Sequence, residues 1–317
     1  MIQSFINRGK NTYFINFFIY LIPIAIIVGQ ASLNALSAII SILIIFLIYK
    51  KKEYHKYKFY FYFFYFLITF LIINLYFSTT IYLSFISILS ITRYFFFFLA
   101  VLYSLNTLDN FYFNFTRVLL VAVIFVVIDS YIQYFFYYDL FGNPILHNRL
   151  TGPFGTEKVI GAYISKLIFI SFGFLLIKKI HINYISLMAL AAFIVVILSN
   201  ERSSSIMLLA ALLIFLSFSS IKAYLKLIVF GIVVFFLFLV FNYNKTFEER
   251  FINEPKKYYK DNHHKAHFLT AIEIYKNNRI SGSGIKSFRV ECKKKNMRLS
   301  KVNILTIDAQ HTLTIFI

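Results

Sequence analysis

The stretch FYFYFFYFLITFLIINLYF, residues 59–77, is apolar on every face of the helix that it would form. A bilayer core about 30 Å thick needs roughly 17 to 25 such residues per helix. A soluble helix would show polar stripes at helical spacing, and a strand of an outer-membrane barrel would alternate in polarity. The stretch therefore predicts a membrane-spanning α-helix.

Similar stretches recur along the chain with polar residues between them. The composition agrees with a lipid environment, because 60% of the residues are hydrophobic and only 14% are charged, too few to cover a soluble globule. We predict an all-α, polytopic transmembrane helical bundle of about nine or ten spans. The predicted spans are 13–29, 31–49, 59–77, 80–105, 117–138, 159–177, 182–199, 203–221 and 226–243.

The distribution of Lys and Arg predicts the orientation of the bundle. With a cytoplasmic N-terminus, the inside segments hold twelve Lys and Arg, whereas the short outside loops hold only Arg149, Lys158 and Arg202. Cytoplasmic loops carry such an excess in multi-pass proteins. The bias favours an N-terminus in the cytoplasm, a multi-pass location in a bacterial inner membrane and a periplasmic segment 244–305.

The chain divides into three predicted regions: a transmembrane bundle (1–243), a large periplasmic loop (244–305) and the start of a further, truncated span (306–317). Within the loop, HHKAHFLTAIEIYKN predicts an amphipathic helix with Phe268, Ala271, Ile272 and Tyr275 on one face. Gly282 and Gly284 then predict a turn. Because apolar character resumes only at 312–317, we expect the chain to be a fragment or a truncated reading frame.

The net charge of +19 bears on the partners of the protein. Its basic residues fall between apolar segments, where the topology rule places them, so we expect anionic membrane lipid or lipid phosphate as partner and no nucleic acid. Cys292, the single cysteine, can form neither an intrachain disulfide nor a cysteine-built metal site. We expect no metal and no other cofactor.

Three arginines stand where they could bind an anion, and each also has a simpler interpretation. Arg149 lies beside glycines, whose amides could approach a phosphate, or it is an interfacial arginine in a turn. Arg202, in SNERSSS, could be held by Glu201 in a cavity among spans, or the charges end one helix and the serines cap the next. Arg93 lies inside the fourth span, where a charge faces a cavity or extends to the interface.

The histidines of the predicted loop are less specific. His263 or His264 with His267 has the spacing of a metal pair, but no third ligand accompanies them, so we expect no zinc site. His311 lies at the predicted membrane boundary, where a neutral imidazole could accept a proton from a hydroxyl. A lone histidine there can also be a plain interfacial residue.

The order of these features resembles the O-antigen ligase and polymerase family over about residues 117–317. The matching segments are RLTGPF (149–154), ERSS (201–204), HFLTAIEIYKNNRISGSGIKSFR (267–289) and QHTLTIF (310–316). The family's His-Asn pair reads His311-Thr312 here, and histidines replace an arginine at the start of the loop helix.

The resemblance implies a metal-independent membrane glycosyltransferase. It would move a glycan from undecaprenyl pyrophosphate to an acceptor, either lipid A-core or a growing glycan, on the periplasmic face. Arg202 and Arg149 would bind the pyrophosphate, with Arg289, His264 and His267 as further substrate-binding residues, and His311 would activate the acceptor. Two alternatives are a non-enzymatic glycolipid transporter or flippase and an inactive truncated member of the family.

Overall fold

A computed structural model describes most of the chain between residues 13 and 293. The described residues are 13–108, 110–146, 149–180, 182–218, 222–243, 251, 253, 263–279 and 282–293. Over these ranges the regular structure is helical, with two isolated β-bridges and no strand. The predicted all-α class is therefore confirmed.

Apolar helices lie where the hydropathy predicts them. They are α1 (Tyr13–Val28), α2 (Gln30–Lys51), α3 (Lys58–Tyr76), α4 (Ile81–Thr107), α5 (Phe111–Phe136), α6 (Ile160–Ile177), α7 (Ile182–Leu198), α8 (Arg202–Phe218) and α9 (Ala223–Tyr243). Within the described ranges, the five helices from α2 to α6 are long and apolar enough to cross a bilayer, and α1, α7, α8 and α9 each contain a shorter apolar stretch. This composition is that of a membrane protein.

Local residues explain how α1 leads into α2. The second part of α1 is a helical segment that begins at Ile22, and Pro23 lies in its first turn. There the missing N–H of proline costs no helical hydrogen bond. Gly29 then separates the two helices with a φ of 130°, a conformation that L side chains rarely adopt. At the far end of α2, Lys50 and Lys51 occupy the last turn, where positive charge is favourable near the helix carbonyls.

The described parts of the chain form two compact units. One comprises Met1–Glu53 with Arg93–Pro255, and the other comprises Tyr54–Thr92 with Lys256–Ile317. The core of the first unit lies among α5, α6, α7 and α8, whose facing side chains include Val123, Ile164, Val196 and Leu208. The Tyr163 hydroxyl also donates to the Pro23 carbonyl at 3.1 Å, so the start of α6 is fixed beside α1.

In the second unit, two short helices follow the apolar helix α3, namely α10 (His263–Asn277) and α11 (Phe288–Glu291). The turn before α11 packs on the connection between α3 and α4: the Thr79 amide donates to the Ser283 carbonyl at 3.1 Å. Gly284, at a φ of 100°, leaves no room for a side chain against Ser78. The predicted glycine turn is therefore confirmed.

The predicted helix at 263–277 is confirmed as α10, but its burial differs from the expected apolar face. Phe268 and Tyr275 are exposed, whereas Thr270 and Ile274 are buried. The sequence predicted burial from side-chain apolarity alone. Within this unit the helix instead packs through the neighbouring face that carries Thr270 and Ile274.

Candidate functional site

The segment 137–159, which connects α5 to α6, contains the first predicted anion-binding motif. Asp139 shapes its beginning, because its Oδ1 accepts from the amides of Phe141 and Asn143 at 2.9 and 2.6 Å. Its Oδ2 accepts from the Asn143 side-chain amide at 2.7 Å. This self-contained turn is a typical use of Asp in loops.

Gln133, in the last turn of α5, holds this segment to the helix bundle. Its Oε1 accepts from the amides of Thr151 and Gly152 at 2.9 and 2.8 Å. Its Nε2 donates to Thr151 Oγ1 at 3.1 Å and to the Asn143 carbonyl at 3.3 Å. Gln133 is fully buried, so one side chain joins two points of the segment that flank Arg149.

Asp129 lies one helical turn before Gln133 and is also fully buried. Its Oδ1 accepts from the Leu140 amide at 2.9 Å, whereas its Oδ2 has no hydrogen-bond partner among the described residues. Sequence reasoning missed both residues. The available signal was a pair of polar residues four apart in a predicted span, since a polar residue inside a span has a partner there as a rule.

Arg149 lies between these anchored points and reaches the connection between α7 and α8. Its Nη2 donates to the Asn200 carbonyl at 2.9 Å, and its Nε is buried without a hydrogen-bond partner among the residues that the structure describes. Asn200 has a φ of 56°, a left-handed conformation that Asn tolerates better than most residues. The structure therefore brings together the RLTGPF and ERSS motifs, which lie about fifty residues apart in sequence.

Glu201 joins the start of α6 to the start of α8. Its carboxylate accepts from the amides of Gly161 and Ala162 at 2.9 and 3.1 Å and from the Ser204 hydroxyl at 2.7 Å. The first amides of a helix have no partner within the helix, so this carboxylate caps α6 from a distant part of the chain. Burial raises the pKa of Glu201, and the hydrogen bonds from Ser204, Gly161 and Ala162 oppose that rise.

These contacts correct one part of the predicted anion site. In one of the two interpretations of Arg149, amides of nearby glycines approach a phosphate, but the Gly152 amide donates to Gln133 and the Gly161 amide, in α6, donates to Glu201. Side-chain oxygens of the same chain therefore already accept the hydrogen bonds of these two amides. Any anion bound near Arg149 would therefore depend on side-chain cations more than on these amides.

Gly161 offers a direct test of this packing. A Cβ at this position would lie 2.9 Å from Ser199 Oγ and 3.0 Å from Glu201 Cδ, so we expect Gly161→Ala to lower the free energy of unfolding by about 1–3 kcal/mol. Thermal unfolding of the detergent-purified protein measures the change. The matched control is Gly173→Ala in the same helix, where the added Cβ meets no described atom within 4 Å beyond its neighbours and the local helix backbone and alanine favours the helix. Equal unfolding midpoints for the two variants would contradict the close approach.

Of the other predicted site residues, Arg202 follows Asn200 closely in sequence, His267 and Arg289 belong to the second unit, and His264 and His311 fall partly or wholly outside the described residues. Arg202 is the first residue of α8 and is half-buried, two residues beyond the carbonyl that Arg149 contacts. In the second unit, the ring of His267 lies 6.3 Å from that of Phe288, the neighbour of Arg289. His267 and Arg289 are both exposed. His264 belongs to α10, but its side chain falls outside the described part, and His311 lies outside the described residues.

The contact with Asn200 thus places Arg149, from the connection between α5 and α6, near the start of α8, whose first residue is Arg202. Arg149 contacts the backbone beside Arg202, and the fork of a guanidinium suits a phosphate group. No family model, curated protein or solved structure matches this chain.

Proposed function

We propose that the protein is a metal-independent membrane glycosyltransferase of the O-antigen ligase or polymerase type. It would transfer a glycan from undecaprenyl pyrophosphate to lipid A-core or a growing glycan. The observation that supports this proposal best is the contact from Arg149 to the Asn200 carbonyl, 2.9 Å long. It brings together the two motifs that resemble the family's arginine motifs.

The chemistry requires cations at the leaving group. When the bond between the anomeric carbon and the pyrophosphate breaks, negative charge develops on the pyrophosphate, and preorganised donors stabilise that charge. We assign Arg149 and Arg202 to this role. His311 would accept the proton of the acceptor hydroxyl as a general base, and Arg289, His264 and His267 would contact the glycan or its carrier.

The proposal includes nine spans with the N-terminus in the cytoplasm of a bacterial inner membrane. With this topology the connections at 137–159 and 199–201 emerge on the same, periplasmic side, in agreement with the contact between Arg149 and Asn200. The segment 244–305 emerges there as well. Its excess of fifteen Lys and Arg over six Asp and Glu would attract an anionic donor.

Complementation of deletion strains tests the proposal. The full chain is expressed in one strain that lacks its O-antigen ligase and in another that lacks its polymerase, and lipopolysaccharide is profiled on gels. We expect the O-antigen ladder to return in one of them, and the restored strain identifies the acceptor.

A second assay separates transfer from transport. Purified protein in proteoliposomes is given a labelled lipid-linked glycan and an acceptor. Formation of the glycan–acceptor bond supports the proposal. Movement of the intact donor across the bilayer without bond formation would support a transporter instead, and an absence of both activities would contradict the proposed reaction.

A further inference from the structure

Arg93 is the charged residue inside α4 that the proposed reaction does not use. It is the thirteenth of the 27 residues of this apolar helix, so its Cα lies about 18 Å from the helix start. A cation at such depth is costly in a bilayer and has a compensating partner as a rule. Among the described residues, no carboxylate lies within ion-pair distance of Arg93.

The contacts of Arg93 compensate its charge only in part. Its Nη2 donates to Asn34 Oδ1 at 2.9 Å, and its guanidinium carbon lies 4.8 Å from the centre of the Tyr94 ring. Its Nε is buried and has no hydrogen-bond partner in the part of the chain that the structure describes. A guanidinium carries five N–H donors and no acceptor, so an anion could both accept from its remaining donors and neutralise its charge.

Helix α2 presents a line of polar residues toward Arg93, which we call the polar strip: Gln30, Asn34, Ser37 and Ser41. Their spacing of three or four residues places them on one helix face. Gln30 is exposed, Asn34 is half-buried, and Ser37 and Ser41 are buried. The strip therefore runs from the end of α2 into the bundle.

Hydrogen bonds connect the polar strip to Arg93 at two depths. Ser41 Oγ donates to the Arg93 carbonyl at 2.8 Å, about 16 Å from the start of α2. The guanidinium bonds Asn34, only about 6 Å from that start, and the Gln30 side-chain amide donates to the same Asn34 oxygen at 3.4 Å. The side chain of Arg93 thus extends along the strip toward the membrane interface.

We propose that Arg93 and the polar strip bind the phosphate group of a membrane lipid. At the interface the abundant anions are lipid phosphates, and a guanidinium binds phosphate in fork geometry. A graded polar face can admit such a headgroup below its usual depth. The binding does not depend on the transfer reaction, because either a bilayer phospholipid or a polyprenyl phosphate presents this group.

Lipid titration of the full chain in an uncharged maltoside detergent tests the proposal. The probes are phosphatidylglycerol, undecaprenyl phosphate and diacylglycerol, which lacks phosphate, and native mass spectrometry measures their binding. We expect at least one phosphate-bearing probe to bind about tenfold more tightly than diacylglycerol, as charge-assisted hydrogen bonds predict. The preferred probe identifies the source of the phosphate.

Variants locate the site within the protein. Arg93→Gln is expected to remove the preference for the phosphate-bearing probe, and Arg93→Lys to keep part of it through its charge. Arg117→Gln is the matched control, since Arg117 is an exposed arginine of α5, and it is expected to bind as the unmodified protein does. Equal binding of all three probes by the unmodified protein would overturn the proposal even if Arg93→Gln does not fold. So would an equal loss in Arg93→Gln and Arg117→Gln.

Discussion

Arg149→Ala is expected to lower glycan transfer about a hundredfold, which is the usual effect of removing one donor from a preorganised site for developing negative charge. The guanidinium lies in the connection between α5 and α6 and bonds the backbone beside Arg202. Its loss removes a charge from the proposed pyrophosphate site. Transfer from a lipid-linked glycan to an acceptor, measured with purified protein at saturating donor, gives the effect on kcat.

Two further variants separate chemistry from folding. Arg149→Lys keeps the charge but loses the planar fork, so we expect intermediate transfer, whereas Arg117→Ala in α5 should leave transfer unchanged. Arg202→Ala is expected to match Arg149→Ala. If both arginines hold one pyrophosphate, the double variant should lose less than the product of the two single losses, because coupled residues are not additive. Normal transfer by Arg149→Ala and Arg202→Ala, with unchanged protein levels, would rule out the assigned roles.

Gln133→Leu is expected to destabilise the protein by about 3 kcal/mol or more, because each buried polar group left without its partner costs about 1–3 kcal/mol. The substitution orphans the amides of Thr151 and Gly152 and removes a donor from the Asn143 carbonyl. Thermal unfolding in detergent measures the loss. Limited proteolysis tests whether cleavage within 137–159 accelerates, as release of this segment from α5 would require.

The chain supplies a matched control for this substitution. Gln30 is exposed at the start of α2 and makes one long hydrogen bond of 3.4 Å, so Gln30→Leu should change stability by about 0.5 kcal/mol or less. Gln133→Glu keeps the acceptor for the two amides, so its loss of stability should lie between those of Gln30→Leu and Gln133→Leu. A Gln133→Leu protein that unfolds at the midpoint of the unmodified chain would show that the segment is held by other contacts.

The apolar helices could be predicted because their signal is local. The stretch 59–77 became Lys58–Tyr76 and the stretch 159–177 became Ile160–Ile177, since a long run of apolar residues has one stable structure in lipid. The helix at 263–277 and the turn at Gly282 were also predictable because their signals are local. Each depends on neighbours within a few residues.

The connections between motifs were less predictable because they join distant parts of the chain. The sequence places Glu201 where it could hold Arg202, and nothing local indicates that its carboxylate caps α6 at Gly161, forty residues earlier. In the sequence, Gln133 is a single polar residue near the end of a predicted span. Nothing local indicates that it accepts hydrogen bonds from the amides of Thr151 and Gly152. The likeness of the motifs around Arg149 and Arg202 to a family suggested a shared site, and the contact to Asn200 gives that suggestion a geometry.

The polar strip also bears on how efficiently α4 enters the membrane during synthesis. Translation delivers α2 before α4, so Asn34 and Ser41 are present when Arg93 leaves the ribosome. A central arginine opposes insertion of a helix by about 2.5–3.5 kcal/mol, and the aromatic residues that follow Arg93 in α4 offset part of that cost. We expect α4 to enter the membrane less efficiently when it is synthesised without α2, because its arginine then lacks the Asn34 acceptor.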